Sequence, residues 1–261
     1  MVTSYFTKLF YSFEDKQERL KFLRLAAIFS FIIGVYSLLY PTKDVLFINL
    51  VGIGYLPYAK WATVFTVAWA VVIYSWLLDI FKRHVMFYVL CTFYASMTIV
   101  SATLFYLIND AQLYAWAGPA VGWMWYVILE SFASVMIALF WSFTSDSTTP
   151  ESAKRGYGVV VFGAQLGGFL GPFCMAKGFC YTHPTAIMVV GAVCIIILAL
   201  LVYYFMRVTP RQQLRGYDDE VKHADAPRAL PVDKKNPGVF EGLTLLVTNS
   251  YLLSLLCAVL V

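Results

Sequence analysis

Long apolar runs alternate with short polar breaks along most of the chain. Six windows of mainly apolar residues cover about 22–40, 61–81, 85–107, 121–143, 157–176 and 185–206. A helix needs roughly 20 such residues to cross a bilayer, and no segment shows the alternating pattern of a membrane-spanning β-strand. The pattern predicts an all-α, polytopic membrane protein with a six-helix transmembrane bundle over 22–206.

Three further segments complete the predicted organisation. Residues 1–21 are expected to form a cytoplasmic amphipathic helix on the membrane surface, with a frayed tail as the alternative. Its apolar side chains at helical spacing are Phe6, Leu9, Phe10 and Phe13. Residues 207–241 are charged and contain prolines, which is typical of a solvated cytoplasmic linker. The apolar run of 242–261 predicts the start of a seventh helix, so that a second bundle is missing and the chain is a fragment or a truncated reading frame.

Composition and charge support lipid as the solvent. The chain is 61% hydrophobic and 13% charged, with a mean hydropathy of +0.72, whereas soluble domains average about 45–50% apolar and about 25% charged residues. With the N-terminus inside, 16 of the 19 Lys and Arg residues fall on the cytoplasmic side, which is the orientation that the positive-inside rule predicts. Only Lys43, Lys60 and Lys177 remain outside. Because no Ser/Arg-rich leader precedes the first helix, a bacterial inner membrane is favoured over a plastid envelope.

An intramembrane carboxylate is the first candidate for chemistry. Glu130 lies eight residues after Gly122 within the fourth apolar window, and a charge at that depth costs about 2.5–3.5 kcal/mol on insertion scales. Ser134 and Ala138 follow at helical spacing and make the same face small and polar, which fits a bundle interior or a water-filled path. The alternative is a structural glutamate that is protonated or paired with a lysine.

Two lysines on the outer side are the next candidates. Lys43 and Asp44 follow Pro41, which is expected to bend or break the first helix because it lacks an N–H donor. Lys60 enters the second helix from the same side. Two lysines near one glutamate suit a polyanionic substrate, but lysines that reach toward lipid headgroups would show the same spacing.

The fifth helix carries small residues at four-residue spacing. Gly163, Gly167 and Gly171 recur, with Gly168 alongside, and such residues let a second helix approach closely. Gln165 is the strongly polar side chain of this run and is expected to face a cavity. The glycines follow no strand and lack the phosphate-binding loop pattern, so they do not indicate nucleotide hydrolysis.

Charges at the inner ends of the helices are candidates for gating. Asp79 and Arg83 lie one helical turn apart, and this arrangement resembles the inner-loop motif of the major facilitator superfamily, in which charges latch two bundles. Lys154 and Arg155 occupy the next inner loop. No catalytic motif and no metal-ligand cluster is visible in the sequence, which argues against an enzyme and predicts no metal and no cofactor.

Four sequence elements together resemble one transporter family. They are LLYPTKDVLF, LPYAKW, WYVILESFASVMIALFWSFTSD and ESAKRGYGVVVFGAQLG. In this order they are similar to the non-mitochondrial nucleotide transporters, the ATP/ADP translocases of plastids and obligate intracellular bacteria. The resemblance covers about residues 20–260 and implies a twelve-helix facilitator-like fold. In that family a lysine and a fourth-helix glutamate are important for transport, and they correspond here to Lys43 and Glu130.

The resemblance implies exchange of ATP for ADP, or transport of a related nucleotide, by alternating access. On this hypothesis the substrate-binding residues are Lys43, Lys60, Glu130, Asp44 and Gln165. The expected partners are the nucleotide, the lipid bilayer and the missing C-terminal half, with no nucleic acid. The alternatives are a transporter of another solute on the same fold, a subunit that pairs with another half, and an inactive truncated copy.

Overall fold

Six long helices make up the part of the chain that the computed structural model describes, namely residues 16–81, 83–108, 111–175 and 184–209. The helices are α1 (Lys16–Leu50), α2 (Leu56–Ile80), α3 (Arg83–Leu107), α4 (Ala111–Ser147), α5 (Pro150–Met175) and α6 (Pro184–Val208). A short 3-10 turn, Ile53–Tyr55, joins α1 to α2. Each helix is long and apolar enough to cross a membrane, which confirms the all-α polytopic class. The first 15 residues, and everything after residue 209, including most of the predicted linker and the seventh helix, lie outside the described residues.

The first helix does not end where the sequence predicts. It runs ten residues beyond Tyr40, to Leu50, with Pro41 in its interior, so the predicted break at Pro41 is wrong. Side chains on both sides of the proline, such as Leu39 and Leu46, are buried in one core. This packing holds the helical path although Pro41 removes one backbone hydrogen bond, and a proline is tolerated in membrane helices when neighbouring helices support it.

The core is built around α1, which contacts α4, α5 and α6, while α3 packs on α4 and α6. The helices α1 and α4 run antiparallel, because Lys43 meets Glu130 at one end and Phe29 stacks on Phe140 further along, with ring centroids 4.3 Å apart. By contrast, α2 packs mainly on α4 and leaves most of its large apolar side chains exposed. The compact part of the bundle is therefore formed by the other five helices.

The small residues of α5 bring its backbone against α1, which confirms the predicted close approach. A Cβ atom added at Gly163 would lie 2.7 Å from the Ala26 carbonyl oxygen, and one added at Gly171 would lie 2.8 Å from that of Gly34. These contacts advance along both helices together, so α5 runs parallel to α1. Lipid tails are as apolar as the helix side chains, so the hydrophobic effect does not drive helices together within a membrane. Close packing such as this favours the association of α1 with α5.

Candidate functional site

A buried lysine connects α1 to α4. The side chain of Lys43 is only 2% exposed, and its ammonium group is ion-paired with the carboxylate of Glu130. The carboxylate of Asp44 lies 3.6 Å from the same nitrogen atom. An unpaired charge within a spanning helix is costly, so the pair explains how both Lys43 and Glu130 are accommodated among apolar neighbours.

Two tyrosine rings also surround this ammonium group. Its nitrogen lies 4.2 Å from the ring centroid of Tyr40 on α1 and 4.4 Å from that of Tyr126 on α4, and a cation over an aromatic face is attracted to it. Tyr126 is 3% exposed and packs against Phe47, with ring centroids 5.0 Å apart. Tyr40 is 42% exposed. Tyr126 is therefore a fixed wall of the site, whereas Tyr40 lies on its open side.

The predicted polar stripe of α4 lies on an open face of the bundle. The side chain of Glu130 is 21% exposed, Ser134 is half-buried and Ala138 is exposed. The Ser134 hydroxyl donates a hydrogen bond of 3.2 Å to the backbone carbonyl of Glu130 and not to its carboxylate. The carboxylate thus interacts with Lys43 on one side and reaches the surface on the other.

Of the other predicted substrate contacts, Lys60 lies at the same end of the bundle as Lys43, whereas Gln165 does not. Lys60 is exposed, but the preceding residue, Ala59, is buried in a small cluster with Tyr126, so Lys60 lies at the same end of the bundle as Lys43. Gln165 is also exposed and lies between Gly163 and Gly167, which pack at the level of residues 26–30 of α1. That level is roughly 20 Å below Lys43 along the helix axis.

The opposite end of the bundle holds a second group of charges. Arg83, the first residue of α3, is ion-paired with Asp146 of α4, and it donates a hydrogen bond of 2.7 Å to the Ser142 hydroxyl. Arg155 of α5 lies 3.0 Å from Glu18 of α1. The first pair links α3 to α4, and the second links α5 to α1.

Two other residues predicted to act at the inner end are Lys154 and Asp79. Lys154 is exposed. Asp79 belongs to α2, but its side chain lies outside the described part of the structure, so its role in gating stays a prediction.

Sequence reasoning missed several residues of these two groups. Tyr40 lies three residues before Lys43, and Tyr126 lies four residues before Glu130. Helical periodicity alone places each tyrosine on the face of its charged neighbour, so this signal could have identified both. Asp146 and Glu18 lie in polar segments rich in charge, where no local signal shows which partner each one meets.

Comparison with known proteins identifies the family. The model of the family described as TLC ATP/ADP transporter matches residues 2–117 and 120–261. ADP,ATP carrier protein 1 of Rickettsia conorii is 28% identical over an alignment 195 residues long, which covers 67% of this chain and 39% of that protein. The Plastidic ATP/ADP-transporter of Solanum tuberosum is 29% identical over an alignment 169 residues long, which covers 56% of this chain and 27% of that protein.

The chain therefore spans well under half the length of both curated relatives. No solved structure matches it at a significant level. The six apolar helices and the family match agree that this is an integral membrane protein. Since the family model covers nearly all of the sequence, the chain belongs to the TLC ATP/ADP transporter family.

Proposed function

We propose that this chain forms one helix bundle of a nucleotide transporter that exchanges ATP for ADP. The observation that carries the proposal is the Lys43 ammonium held between two spanning helices by Glu130, in a chain of this family. A lysine is a compact cation that binds phosphate as a point charge. In the membrane, such a group is a functional candidate by default.

In this proposal the phosphate takes the place of Glu130 on Lys43. The ammonium group is covered by Glu130, Asp44 and two tyrosine rings, so a substrate reaches it only when a covering group moves. A phosphate oxygen and a carboxylate oxygen offer the same charge-assisted contact. Glu130, which already reaches the surface, is the group that the phosphate displaces.

Binding of a polyanionic substrate requires more positive charge than Lys43 alone supplies. One ammonium group and two carboxylates carry a net charge of −1, whereas the substrate is a polyanion. Lys60 lies at the same end of the bundle and is exposed, so it is available to add positive charge. We propose that further cations come from a second bundle, in the same polypeptide or in a partner, and that substrate is held between the two.

The charged pairs at the opposite end have a separate role in this mechanism. We propose that the two ion pairs, Arg83 with Asp146 and Arg155 with Glu18, make the described bundle a rigid body that rocks against the second one. Asp79 and Lys154 would contribute to closing the inner gate. The Lys and Arg distribution favours this end as the cytoplasmic one. We propose a bacterial inner membrane as the location.

Uptake of radiolabelled ATP into ADP-loaded proteoliposomes of the full-length protein tests the proposal. We expect Lys43→Ala to lower uptake at least tenfold, because loss of a charge-assisted contact costs about 1.5–3 kcal/mol. We expect Glu130→Gln to lower KM, since a competitor for Lys43 is removed, and to lower the maximal rate because the pair no longer re-forms. Glu151→Gln changes an exposed glutamate at the start of α5 and is the matched control. Uptake equal to wild type in both site variants would refute the site.

The excess of carboxylates favours a second candidate function. A net charge of −1 around Lys43 suits a solute that carries its own cationic group, such as a peptide. The chain would then belong to a transporter of the same fold that moves this other solute. A competition panel with nucleotides, other anions and peptides separates the two candidates. Inhibition by peptides and not by nucleotides would establish the second.

A further inference from the structure

Two tyrosines on α1 continue the site away from Lys43. Tyr36 and Tyr40 lie one turn apart with ring centroids 5.4 Å from each other, at an interplanar angle of 66°. Tyr40 in turn covers the Lys43 ammonium group. The three side chains thus form a continuous row along one face of α1, with two aromatic rings followed by a cation.

The two rings that cover Lys43 differ in what they can still bind. Tyr126 is almost fully buried and its ring packs against Phe47, so little of the ring is open to a ligand. Tyr40 has the largest exposed fraction among the large apolar and aromatic side chains of α1. It therefore presents ring surface that neither Lys43 nor Tyr36 occupies.

The row has the composition that a nucleotide requires. Lys43 and Tyr36 are seven residues apart, which is about 10 Å along a helix, and an extended nucleoside triphosphate separates its terminal phosphate from its base by a comparable length. Bases of every kind stack on aromatic side chains, since each has a π-face. A phosphate at Lys43 would therefore leave the base beside Tyr36 and Tyr40.

We propose that Tyr40, supported by Tyr36, is the nucleobase contact of this site and distinguishes nucleotides from simple polyphosphates. This inference rests on the proposed function, because it takes Lys43 as the phosphate contact. It assigns the base to α1 and leaves Tyr126 as a positioning residue for Lys43. The aromatic edge of Tyr36 fixes the orientation of the Tyr40 ring.

Two probes separate a base contact from a phosphate contact. Binding of ATP and of inorganic tripolyphosphate is measured by calorimetry on the full-length protein in lipid nanodiscs. Tripolyphosphate carries the same chain of phosphates without the ribose and the base. We expect Tyr40→Leu to weaken ATP binding about 5- to 150-fold, the value of one base stack, and to change the Kd for tripolyphosphate far less, because tripolyphosphate has no base. Tyr40→Phe keeps the ring and should retain ATP affinity.

Further variants distinguish the possible failures. Tyr36→Leu should weaken ATP binding less than Tyr40→Leu, and Tyr106→Leu, at a 72% exposed tyrosine of α3, is the matched control without effect. Equal weakening of both probes by Tyr40→Leu would show that the ring only positions Lys43 and would overturn the inference. No effect on either probe would make Tyr40 an interfacial tyrosine and would overturn it as well. A wild-type protein that binds neither ATP nor tripolyphosphate would refute the proposed function itself. A Lys43→Gln variant that binds both probes with wild-type affinity would refute it too.

Discussion

Replacing one glycine of α5 with alanine should separate α5 from α1, whereas the same change one residue later should not. A Cβ atom at Gly167 would overlap the Ser30 carbonyl oxygen of α1, which cannot move without shifting the helix. A Cβ atom at Gly168 would lie 3.4 Å from the Ile33 side chain, where a small adjustment is enough. The two positions share one helix, one residue type and one substitution, so they differ mainly in what the added methyl group meets.

The expected magnitude follows from two opposing effects. Alanine is a better helix former than glycine by about 1 kcal/mol, and this gain is common to both variants. Overpacking at a close contact costs about 1–3 kcal/mol, and this cost falls on Gly167→Ala. The difference between the variants therefore isolates the overlap at about 1–3 kcal/mol, which corresponds to about 2–12 °C in Tm for a chain of this size.

Thermal unfolding in detergent, followed by size-exclusion chromatography with fluorescence detection, measures this difference. We expect the Tm of Gly167→Ala to fall below that of wild type and the Tm of Gly168→Ala to equal or exceed it. A Tm of Gly167→Ala equal to or above that of Gly168→Ala would show that the backbones of α1 and α5 are not in close contact at this level.

Three further predictions concern charged and polar side chains. In a double-mutant cycle, Arg83→Gln and Asp146→Asn should show a coupling of about 1–3 kcal/mol in the free energy of unfolding, and additive effects would mean that the pair does not form. Lys60→Ala should lower nucleotide uptake less than Lys43→Ala, because Lys60 is exposed, and an equal loss would place it in the same binding site. Thr42→Val should lower stability by about 0.5–1.5 kcal/mol, since the buried hydroxyl donates to a carbonyl of its own helix, and an unchanged Tm would contradict that bond.

The six helices could be predicted from the sequence because the bilayer imposes one strong requirement, the length of an apolar segment. The end of α1 could not, because Pro41 is a local signal, whereas the burial of Leu39 and Leu46 that overrides it depends on other helices. The close packing of α5 was also readable, since glycines at four-residue spacing have few other uses in a spanning helix.

The individual residues of the candidate site could be predicted from the sequence, but the contacts between them could not. Lys43 and Glu130 each stand out as a charge in an apolar run, but their contact joins residues 87 positions apart. The expectation that Lys60 and Gln165 lie close to them depends on helix directions and levels. Only the packing of α5 against residues 26–30 of α1 shows that Gln165 lies far below Lys43.

The contact of Lys43 with Asp44 has a consequence for how the chain enters the membrane. Lys43 leaves the ribosome 87 residues ahead of Glu130, which at about 5–20 residues per second is roughly 4–17 s. During that interval Glu130 has not yet been synthesised, and the adjacent Asp44 is the carboxylate that can neutralise the lysine. The first helix thus carries its own counter-charge into the translocon, and Glu130 takes over as the principal partner when α4 has been synthesised.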